Sequence, residues 1–268
     1  MAPTLNTPKI SIGMPVYNGE KHIRDALEAL LAQTFTDFEL IISDNASNDN
    51  TGSICREYAT RDARIRYVRQ PANKGAFANF QFVLHEAVGE YFMWNAADDF
   101  RSRDCIEYYL STIGNAGGAF STYALIDWKT GFKEIEPVPI LSTDQTRRES
   151  LKRFFTLNCP SLIYGLYRRA VLLECMPSEA FDWFDSFLVL RVIGRYGFNT
   201  SQSEPMYYAG FYGAYVPKSF HGKYIRSSTY FIKACRLALY AGPVAFLYHL
   251  RTLLISAKLN FKKWLLQQ

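Results

Sequence analysis

The sequence predicts an α/β fold in which helices flank a mainly parallel central sheet. Strand-like and helix-like patterns alternate three times between residues 9 and 90, and a fourth strand pattern follows at residues 91–95. Alternation of this kind is typical of a parallel sheet with right-handed crossover helices. The fourth strand pattern is followed closely by two adjacent carboxylates, Asp98 and Asp99. Because open α/β sheets bind ligands at the carboxyl ends of their strands, we expect a site there, the alternative being a solvated turn with an N-cap aspartate for the next helix.

Two kinds of pattern define the elements of the first half of the chain. Short apolar runs predict strands at residues 9–14, 38–42, 65–68 and 91–95. Helical spacing begins at Glu20, where Ile23, Ala26, Leu27 and Leu30 follow the i, i+3, i+4, i+7 rule. Two more helices are predicted, at about residues 50–61 and at 76–87.

The second half of the chain has weaker patterns. We predict helices at residues 104–113, 147–157, 169–174 and 184–193. We predict strands at residues 117–127, 162–167 and 200–209, and an irregular region at 128–146. A dinucleotide-binding fold is disfavoured, because no G-x-G-x-x-G turn follows any predicted strand.

Cysteine and histidine usage argues against disulfides and a zinc site. The five cysteines are scattered without a C-x-x-C pair, and the four histidines share no metal-ligand spacing. This favours a reducing, cytoplasmic compartment. Residues 1–7 contain no basic region followed by an apolar core, so no secretory signal is expected there.

The charge distribution sets apart the last part of the chain. The net charge is +5, yet no Asp or Glu follows Glu204, whereas nine basic residues do. Residues 223–268, here called the basic tail, contain two apolar segments at 230–240 and 244–264 that basic residues interrupt. No stretch of about 20 residues is free of charge, which disfavours a spanning helix. We expect basic amphipathic helices on an anionic membrane surface, the alternative being a helical pair packed on the body or on another subunit.

Five short motifs occur in order along the first half of the chain. They are IGMPVYNGE at residues 12–20, QTF at 33–35 with FELII at 38–42, DNASNDNT at 44–51, NKG at 73–75 with Asn79, and GEY at 89–91 followed by AADD at 96–99. In this order they resemble the nucleotide-binding half of a family 2 glycosyltransferase of the GT-A fold. The remaining residues match that family far less specifically.

The resemblance implies a GT-A (Rossmann-like) domain with a C-terminal helical, membrane-associating extension. Residues 1–222 would form the glycosyltransferase domain, with a nucleotide-sugar-binding half at 8–110 and an acceptor-side half at 111–222, followed by the basic tail at 223–268. The implied reaction is metal-assisted, inverting transfer from a nucleotide-sugar, foremost a UDP-sugar, with GDP- and dTDP-sugars as alternatives. The acceptor would be a glycan or lipid-linked saccharide at the inner face of the plasma membrane. No nucleic-acid partner is expected, and an oligomer is compatible with the sequence.

The resemblance also assigns roles at the ends of the strands. The metal, Mn²⁺ or Mg²⁺, would be held by Asp98, with Asp99 secondary and with His221 as a further candidate ligand. The residues expected on the nucleotide are Pro15, Tyr17, Asp44, Asn73, Lys74, Asn79, Asn95 and Asp98. Asp44 is well placed for the imide N–H of a base or for the ribose, although an N-cap or Asx-turn role is the alternative. Lys74 could equally be a solvated loop residue.

One position departs from the family pattern. Where the motif D-x-D-D has its first acid, this chain has Ala96. That acid commonly contacts the ribose, so ribose contacts would be weaker here or would come from Asn95. Because this acid is absent, a non-catalytic binding or scaffolding role is an alternative to catalysis. A nucleotidyltransferase is a second rival, but residues 15–20 lack its glycine-rich, arginine-containing loop.

Inverting transfer also needs a carboxylate base on the acceptor side. The candidates are Asp185 and Asp182, near the start of the predicted helix at 184–193. Their spacing to Arg191 and Gly197 favours Asp185 by the family pattern, with helix N-capping as the alternative role for both.

Overall fold

The computed structural model describes residues 7–127, 129–131, 133–157, 159–180 and 184–211. The first half contains four strands and three helices in strict alternation. They are β1 (Ile10–Val16), α1 (Ile23–Leu31), β2 (Phe38–Asp44), α2 (Thr51–Arg61), β3 (Ile65–Arg69), α3 (Gly75–Glu86) and β4 (Tyr91–Trp94). The predicted elements of this half are present, with ends shifted by at most three residues.

The second half is built from shorter elements. They are β5 (Phe100–Arg101), α4 (Cys105–Ile113), β6 (Gly118–Ser121), β7 (Tyr123–Asp127), β8 (Lys133–Glu136), α5 (Arg147–Leu157), a 3₁₀ helix (Pro160–Tyr164), β9 (Leu166–Arg168), α6 (Arg169–Cys175), α7 (Phe184–Tyr196), β10 (Phe198–Ser201) and β11 (Tyr207–Phe211).

The described strands form two sheets. The central sheet has seven strands in the order β10-β6-β9-β4-β1-β2-β3, and β9 alone among them runs antiparallel to its neighbours. The second sheet has four strands in the order β5-β11-β7-β8. The prediction of an α/β fold with a mainly parallel central sheet and flanking helices is therefore confirmed.

The central strands are buried because helices cover the sheet. Along β1 the side chains of Ile10, Ile12 and Met14 have no exposed surface, as expected for a parallel strand. At Gly13 an added Cβ would lie 2.6 Å from the Phe92 ring. Glycine is thus required where β1, β4 and α3 approach closely.

The register brings three strand ends to one edge of the sheet. Val16 of β1 pairs with Asp44 of β2, and Gly13 of β1 pairs with Trp94 of β4. The loops that follow β1, β2 and β4, which carry part of the sequence motifs, leave the sheet at this edge.

The second sheet was not predicted. Residues 117–127 form two strands instead of one, since the chain leaves the central sheet at Thr122, whose N–H donates to Ser201 O at 3.1 Å. Residues 200–209 likewise divide between β10 and β11. The region 128–146 contains β8, and the predicted strand at 162–167 begins as a 3₁₀ helix. The short strands of the second sheet have too little pattern to be read from the sequence.

The extension predicted for residues 223–268 lies outside the described residues. Within the described part of the chain, no helix is long and apolar enough to cross a bilayer.

Candidate functional site

A cavity of about 260 Å³ opens where β1 and β4 end. Three of the predicted site residues, Pro15, Tyr17 and Asp98, lie in its wall. The other lining residues are Val16, Asn18, Gly19, Lys21, His22, Ala96 and Ala97. The structure therefore joins the first and last of the five motifs in one concave site.

The loop after β1 is fixed by the loop after β2. Backbone N–H groups of residues 18 and 19 donate to Ser47 Oγ at 2.9 Å and to Thr51 Oγ1 at 2.8 Å, and Glu20 N donates to Asp49 Oδ2 at 3.1 Å. These acceptors are the polar residues of the motif at 44–51. Residues of this motif thus fix the loop after β1, which forms part of the cavity wall.

The two loops also bond in the opposite direction. Asn48 N donates to Asn18 Oδ1 at 3.0 Å, and Asn50 N donates to Glu20 Oε2 at 2.9 Å. Asn18 and Ala46 hold positive φ angles of 54° and 63°, which cost free energy in residues other than glycine. Reciprocal hydrogen bonds of this kind offset that cost.

Asp44 lies behind the cavity. It is fully buried, and its carboxylate accepts from the Tyr67 hydroxyl at 2.8 Å, Arg69 Nη1 at 2.9 Å and Ser47 N at 2.8 Å. Direct contact with a base therefore remains a prediction that the described contacts do not favour. These contacts instead fix the loop that follows β2, which resembles the alternative Asx-turn role of Asp44.

Asn79 is also buried in internal contacts. Its Nδ2 donates to Ser43 O at 2.8 Å, and its Oδ1 accepts from Ser43 Oγ at 2.5 Å. These bonds join α3 to β2. Asn79 thus supports the sheet edge and does not line the cavity.

The loop before α3 lies at the same edge of the sheet. Asn73 Oδ1 accepts from Asn45 Nδ2 at 2.8 Å, and Lys74 N donates to Asn45 Oδ1 at 3.0 Å. The Lys74 side chain is exposed, so it is accessible to an anionic ligand. The contact of Asn73 and Lys74 with a nucleotide stays a prediction.

Asp98 is the acid that faces the cavity. It lies on a turn after β4 and is partly exposed. Burial raises the pKa of Asp98, while the nearby His22 opposes that shift. His22 was missed by the sequence analysis because it resembles an ordinary residue at the start of a helix. Its pKa is lowered by burial, with the charge of Asp98 acting in the opposite direction.

Asp99 points away from the cavity into the protein. It is buried, and its carboxylate accepts from the Tyr207 hydroxyl and from Gly210 N, the latter at 2.9 Å. Burial, followed by the charge of Asp98, raises the pKa of Asp99 to about 7. Both oxygens are thus engaged by β11 in the second sheet, whereas Asp98 lies in the cavity wall.

A buried arginine organises the chain around the acid pair. Arg101 donates to Trp94 O at 2.7 Å, to Asn95 Oδ1 at 2.8 Å and to Tyr164 O at 2.8 Å. The amide of Asn95 in turn donates to Ala96 O at 2.8 Å and to Asp99 O at 3.1 Å. Asn95 is fully buried, so it does not reach the cavity to replace the acid missing at Ala96.

Asp185 lies in the first turn of α7 and is partly exposed. Its Oδ1 accepts from Ser186 N at 2.6 Å, and burial raises its pKa. The preceding residue, Phe184, packs edge-on against Phe77 and Phe80 of α3, with ring centroids 5.1 and 5.5 Å apart. These ring contacts pack the start of α7 against α3.

Two other predicted site residues, Asp182 and His221, lie outside the described residues. Among the residues that are described, no group of three His, Cys, Asp or Glu side chains could hold a metal ion by itself. One cavity-facing carboxylate does suit a hard cation of the Mg²⁺ type, which is commonly held by one or two carboxylates together with substrate phosphates and water. The chemistry of Asp98 therefore fits a metal that arrives with a diphosphate.

Comparison with known proteins identifies the class. The family described as "Glycosyl transferase family 2" matches residues 11–175, which is more than half of the chain. The chain therefore belongs to family 2 of the glycosyltransferases.

Individual glycosyltransferases match parts of the chain. An uncharacterized glycosyltransferase of Haemophilus influenzae is 29% identical over 188 residues, covering 64% of this chain and 73% of the relative. An uncharacterized glycosyltransferase of Rickettsia bellii is 29% identical over 198 residues, covering 69% of this chain and 28% of the relative. Glycosyltransferase GlyA of Streptococcus pneumoniae is 33% identical over 99 residues, and the chain spans only 14% of its length.

Solved structures agree on the fold. S. aureus TarS 1–349 in complex with UDP matches with a TM-score of 0.63 at 21% identity, covering 76% of this chain and 60% of that one. The mannosyltransferase PcManGT from Pyrobaculum calidifontis, in complex with GDP-Man and Mn²⁺, matches with a TM-score of 0.57 at 17% identity, covering 95% and 76%. At these identities the likeness shows a shared fold.

The contacts of Asp99 predict a structural cost when its carboxylate is removed. Asp99→Ala leaves the Tyr207 hydroxyl and Gly210 N without their acceptor in a buried place, so we expect the free energy of unfolding to fall by about 2–4 kcal/mol. Asp99→Asn keeps one acceptor and should lose about half as much. Urea denaturation followed by circular dichroism measures both. Asp37→Ala, at an exposed carboxylate, is the control and should unfold at the wild-type midpoint; an equal midpoint for Asp99→Ala would contradict this role.

Proposed function

We propose that the protein is a metal-dependent, inverting glycosyltransferase that takes its sugar from a nucleotide-sugar, foremost a UDP-sugar. The observation that carries the proposal is the cavity at the ends of β1 and β4, with the Asp98 carboxylate in its wall. Solved neighbours of the same fold are described in complex with UDP, UDP-GlcNAc or GDP-Man, one of them with Mn²⁺. GDP- and dTDP-sugars are the alternatives for the donor.

Within this proposal the donor nucleotide lies along the loop after β1. Pro15 and Tyr17 wall the base and ribose, and Tyr17 is 48% exposed and so presents a free aromatic face. Asn73 and Lys74 approach from the loop before α3. Ala96 leaves space where the family has an acid, so the ribose is held by fewer polar contacts.

In this proposal Asp98 would hold Mn²⁺ or Mg²⁺ together with the donor diphosphate. The bound metal supplies Lewis-acid stabilisation of the negative charge on the leaving diphosphate. Asp99 acts indirectly, since its carboxylate fastens the chain beside Asp98 to β11. His221 stays a candidate for a further ligand.

Asp185 is the proposed general base, with Asp182 as the second candidate. The base accepts the proton of the acceptor hydroxyl as that oxygen bonds to the anomeric carbon. The bond between this carbon and the diphosphate oxygen breaks, and its electron pair leaves with the nucleoside diphosphate. Attack from the opposite face inverts the anomeric configuration. A carboxylate whose pKa burial has raised, as for Asp185, is a stronger base than an exposed one.

One test of this proposal replaces the cavity-facing acid, Asp98. Asp98→Asn should weaken Mn²⁺-supported UDP binding at least tenfold and lower turnover by about 100-fold or more, because metal stabilisation of the leaving group contributes several kcal/mol. Isothermal titration with UDP, with and without Mn²⁺, and release of UDP from a panel of sugar nucleotides measure the two effects. Asp37→Asn is the control and should behave as the wild type. Unchanged metal dependence in Asp98→Asn would show that the metal lies elsewhere.

Another test separates nucleotide binding from the sugar-transfer step. Asp185→Asn keeps the size and hydrogen-bonding capacity of the side chain but removes the base, so we expect kcat to fall by about 10²–10⁴-fold with UDP affinity unchanged. Asp182→Asn, assayed in parallel, should change kcat by much less. If neither variant slows transfer, the base does not come from this segment. If the wild-type protein binds sugar nucleotides but neither transfers nor hydrolyses them, the protein is a non-catalytic binding subunit.

The proposal extends to domain organisation and location. Residues 1–222 form the catalytic domain, with a donor half at 8–110 and an acceptor-side half at 111–222. The basic tail at 223–268 binds the anionic inner face of the plasma membrane as a peripheral contact. Its charge pattern supports this, since it combines apolar segments with basic residues and has no acid. The acceptor is then a glycan or lipid-linked saccharide at that surface.

Flotation with liposomes tests the basic tail. The full chain should float with vesicles containing an anionic lipid at low salt and should be released as salt screens the attraction. Vesicles of neutral lipid are the control and should bind much less. A full chain that remains in the dense fractions with anionic vesicles would refute membrane contact.

A further inference from the structure

The turn that carries Asp98 lies between two buried polar residues. Ala96, Ala97 and Asp98 lie in the cavity wall, whereas Asn95 before them is fully buried and Asp99 after them is 4% exposed. The Asn95 amide donates to Ala96 O at 2.8 Å and to Asp99 O at 3.1 Å. The place of Asp98 in the wall therefore depends on how the two buried ends of the turn are fixed.

The second end of the turn, Asp99, is fixed from a distant part of the chain. Its carboxylate accepts from the Tyr207 hydroxyl, 108 residues further along the sequence, and from Gly210 N at 2.9 Å. Both donors belong to β11. A buried carboxylate oxygen that loses its donor costs free energy, because no water replaces the lost hydrogen bond. The two bonds thus hold the end of the turn to the second sheet.

Tyr207 is itself closely packed. Its side chain has no exposed surface. Its ring stacks on Tyr164 with centroids 5.2 Å apart and planes at 24°, and it meets Phe120 with centroids 5.8 Å apart. The Arg101 guanidinium lies 5.0 Å from the centre of the same ring. Because a close-packed interior leaves little room for a ring to shift, the hydroxyl is a fixed point of attachment for Asp99.

We propose that Tyr207 is a positioning residue of the donor site, which acts through Asp99 to keep the Asp98 carboxylate where it would bind a divalent cation. This rests on the proposed function, because it needs Asp98 to hold a metal with the donor diphosphate. Without the hydroxyl, one buried oxygen of Asp99 lacks its donor, and the turn relaxes to satisfy it. Groups that orient a metal site through hydrogen bonds typically change metal affinity by about 10- to 100-fold.

The test removes the hydroxyl and keeps the ring, in Tyr207→Phe. Tyr109→Phe is the matched control, because the Tyr109 ring also packs on Phe120, with centroids 5.9 Å apart, and its buried hydroxyl pairs with Ser121 Oγ at 3.3 Å. Isothermal titration with UDP, with and without Mn²⁺, gives the affinity that the metal adds. Electron paramagnetic resonance of Mn²⁺ measures metal binding directly, with Mn²⁺ and UDP alone as the blank. Urea denaturation records the stability of each variant.

In Tyr207→Phe we expect the affinity for UDP without metal to stay within about twofold of the wild type, and the affinity that Mn²⁺ adds to fall about tenfold or more. In Tyr109→Phe both affinities should match the wild type, although each variant loses stability. If Tyr207→Phe keeps the full metal-dependent affinity while Asp98→Asn loses it, the inference is refuted and the proposed function stands. If Mn²⁺ adds no affinity in the wild type, the proposed metal dependence fails and this inference fails with it.

A second variant interrupts the same contact from the other side and does not depend on the folding of Tyr207→Phe. Asp99→Asn should also lower the affinity that Mn²⁺ adds. Combining the two substitutions should lower it by no more than about a further twofold, because residues that act through one contact have non-additive effects. If Asp99→Asn keeps the full metal-dependent affinity, or if the two effects add, Tyr207 does not act through Asp99 and the assignment is overturned.

Discussion

The buried guanidinium of Arg101 is the interaction on which the arrangement of the site depends. A charge removed from water is tolerated only when its hydrogens are satisfied, and Arg101 obtains this from the carbonyls of Trp94 and Tyr164 and from Asn95. Its guanidinium also lies 5.0 Å from the centre of the Tyr207 ring. The end of β4, the 3₁₀ helix and the second sheet must all converge on this one group. The turn that presents Asp98 begins at that point of convergence.

Most of the elements in the first half of the chain could be predicted from the sequence, because the strands there are continuous apolar runs and the helices are amphipathic. The second sheet could not. Phe100 and Arg101 form a strand of two residues, too short for any periodicity, and the chain changes sheets at Thr122 without a glycine or proline to mark the change. Pairing between distant segments such as β5 and β11 is set by tertiary packing, which local pattern does not encode.

Some of the predicted site residues lie in the cavity wall, and others are buried behind it. Pro15, Tyr17 and Asp98 do line one cavity, as strand ends at one edge of a parallel sheet must. Asp44, Asn79 and Asn95 have the polarity of ligand-binding residues, yet their hydrogen bonds go to the protein. Sequence reasoning could not separate the two positions, because a polar side chain in a cavity wall and one that fixes a loop from behind can be of the same residue type. His22 was missed for a different reason, since only packing brings it into the cavity wall beside Asp98.

The reciprocal hydrogen bonds between the loops after β1 and β2 have a consequence for the thermodynamics of association. Asn18 and Ala46 are held in left-handed conformations before any ligand arrives. The conformational entropy of this wall is therefore lost when the protein folds and not when a ligand binds. A ligand that binds at this wall would meet two loops that are already ordered, so its contact energy would not go into organising the polypeptide.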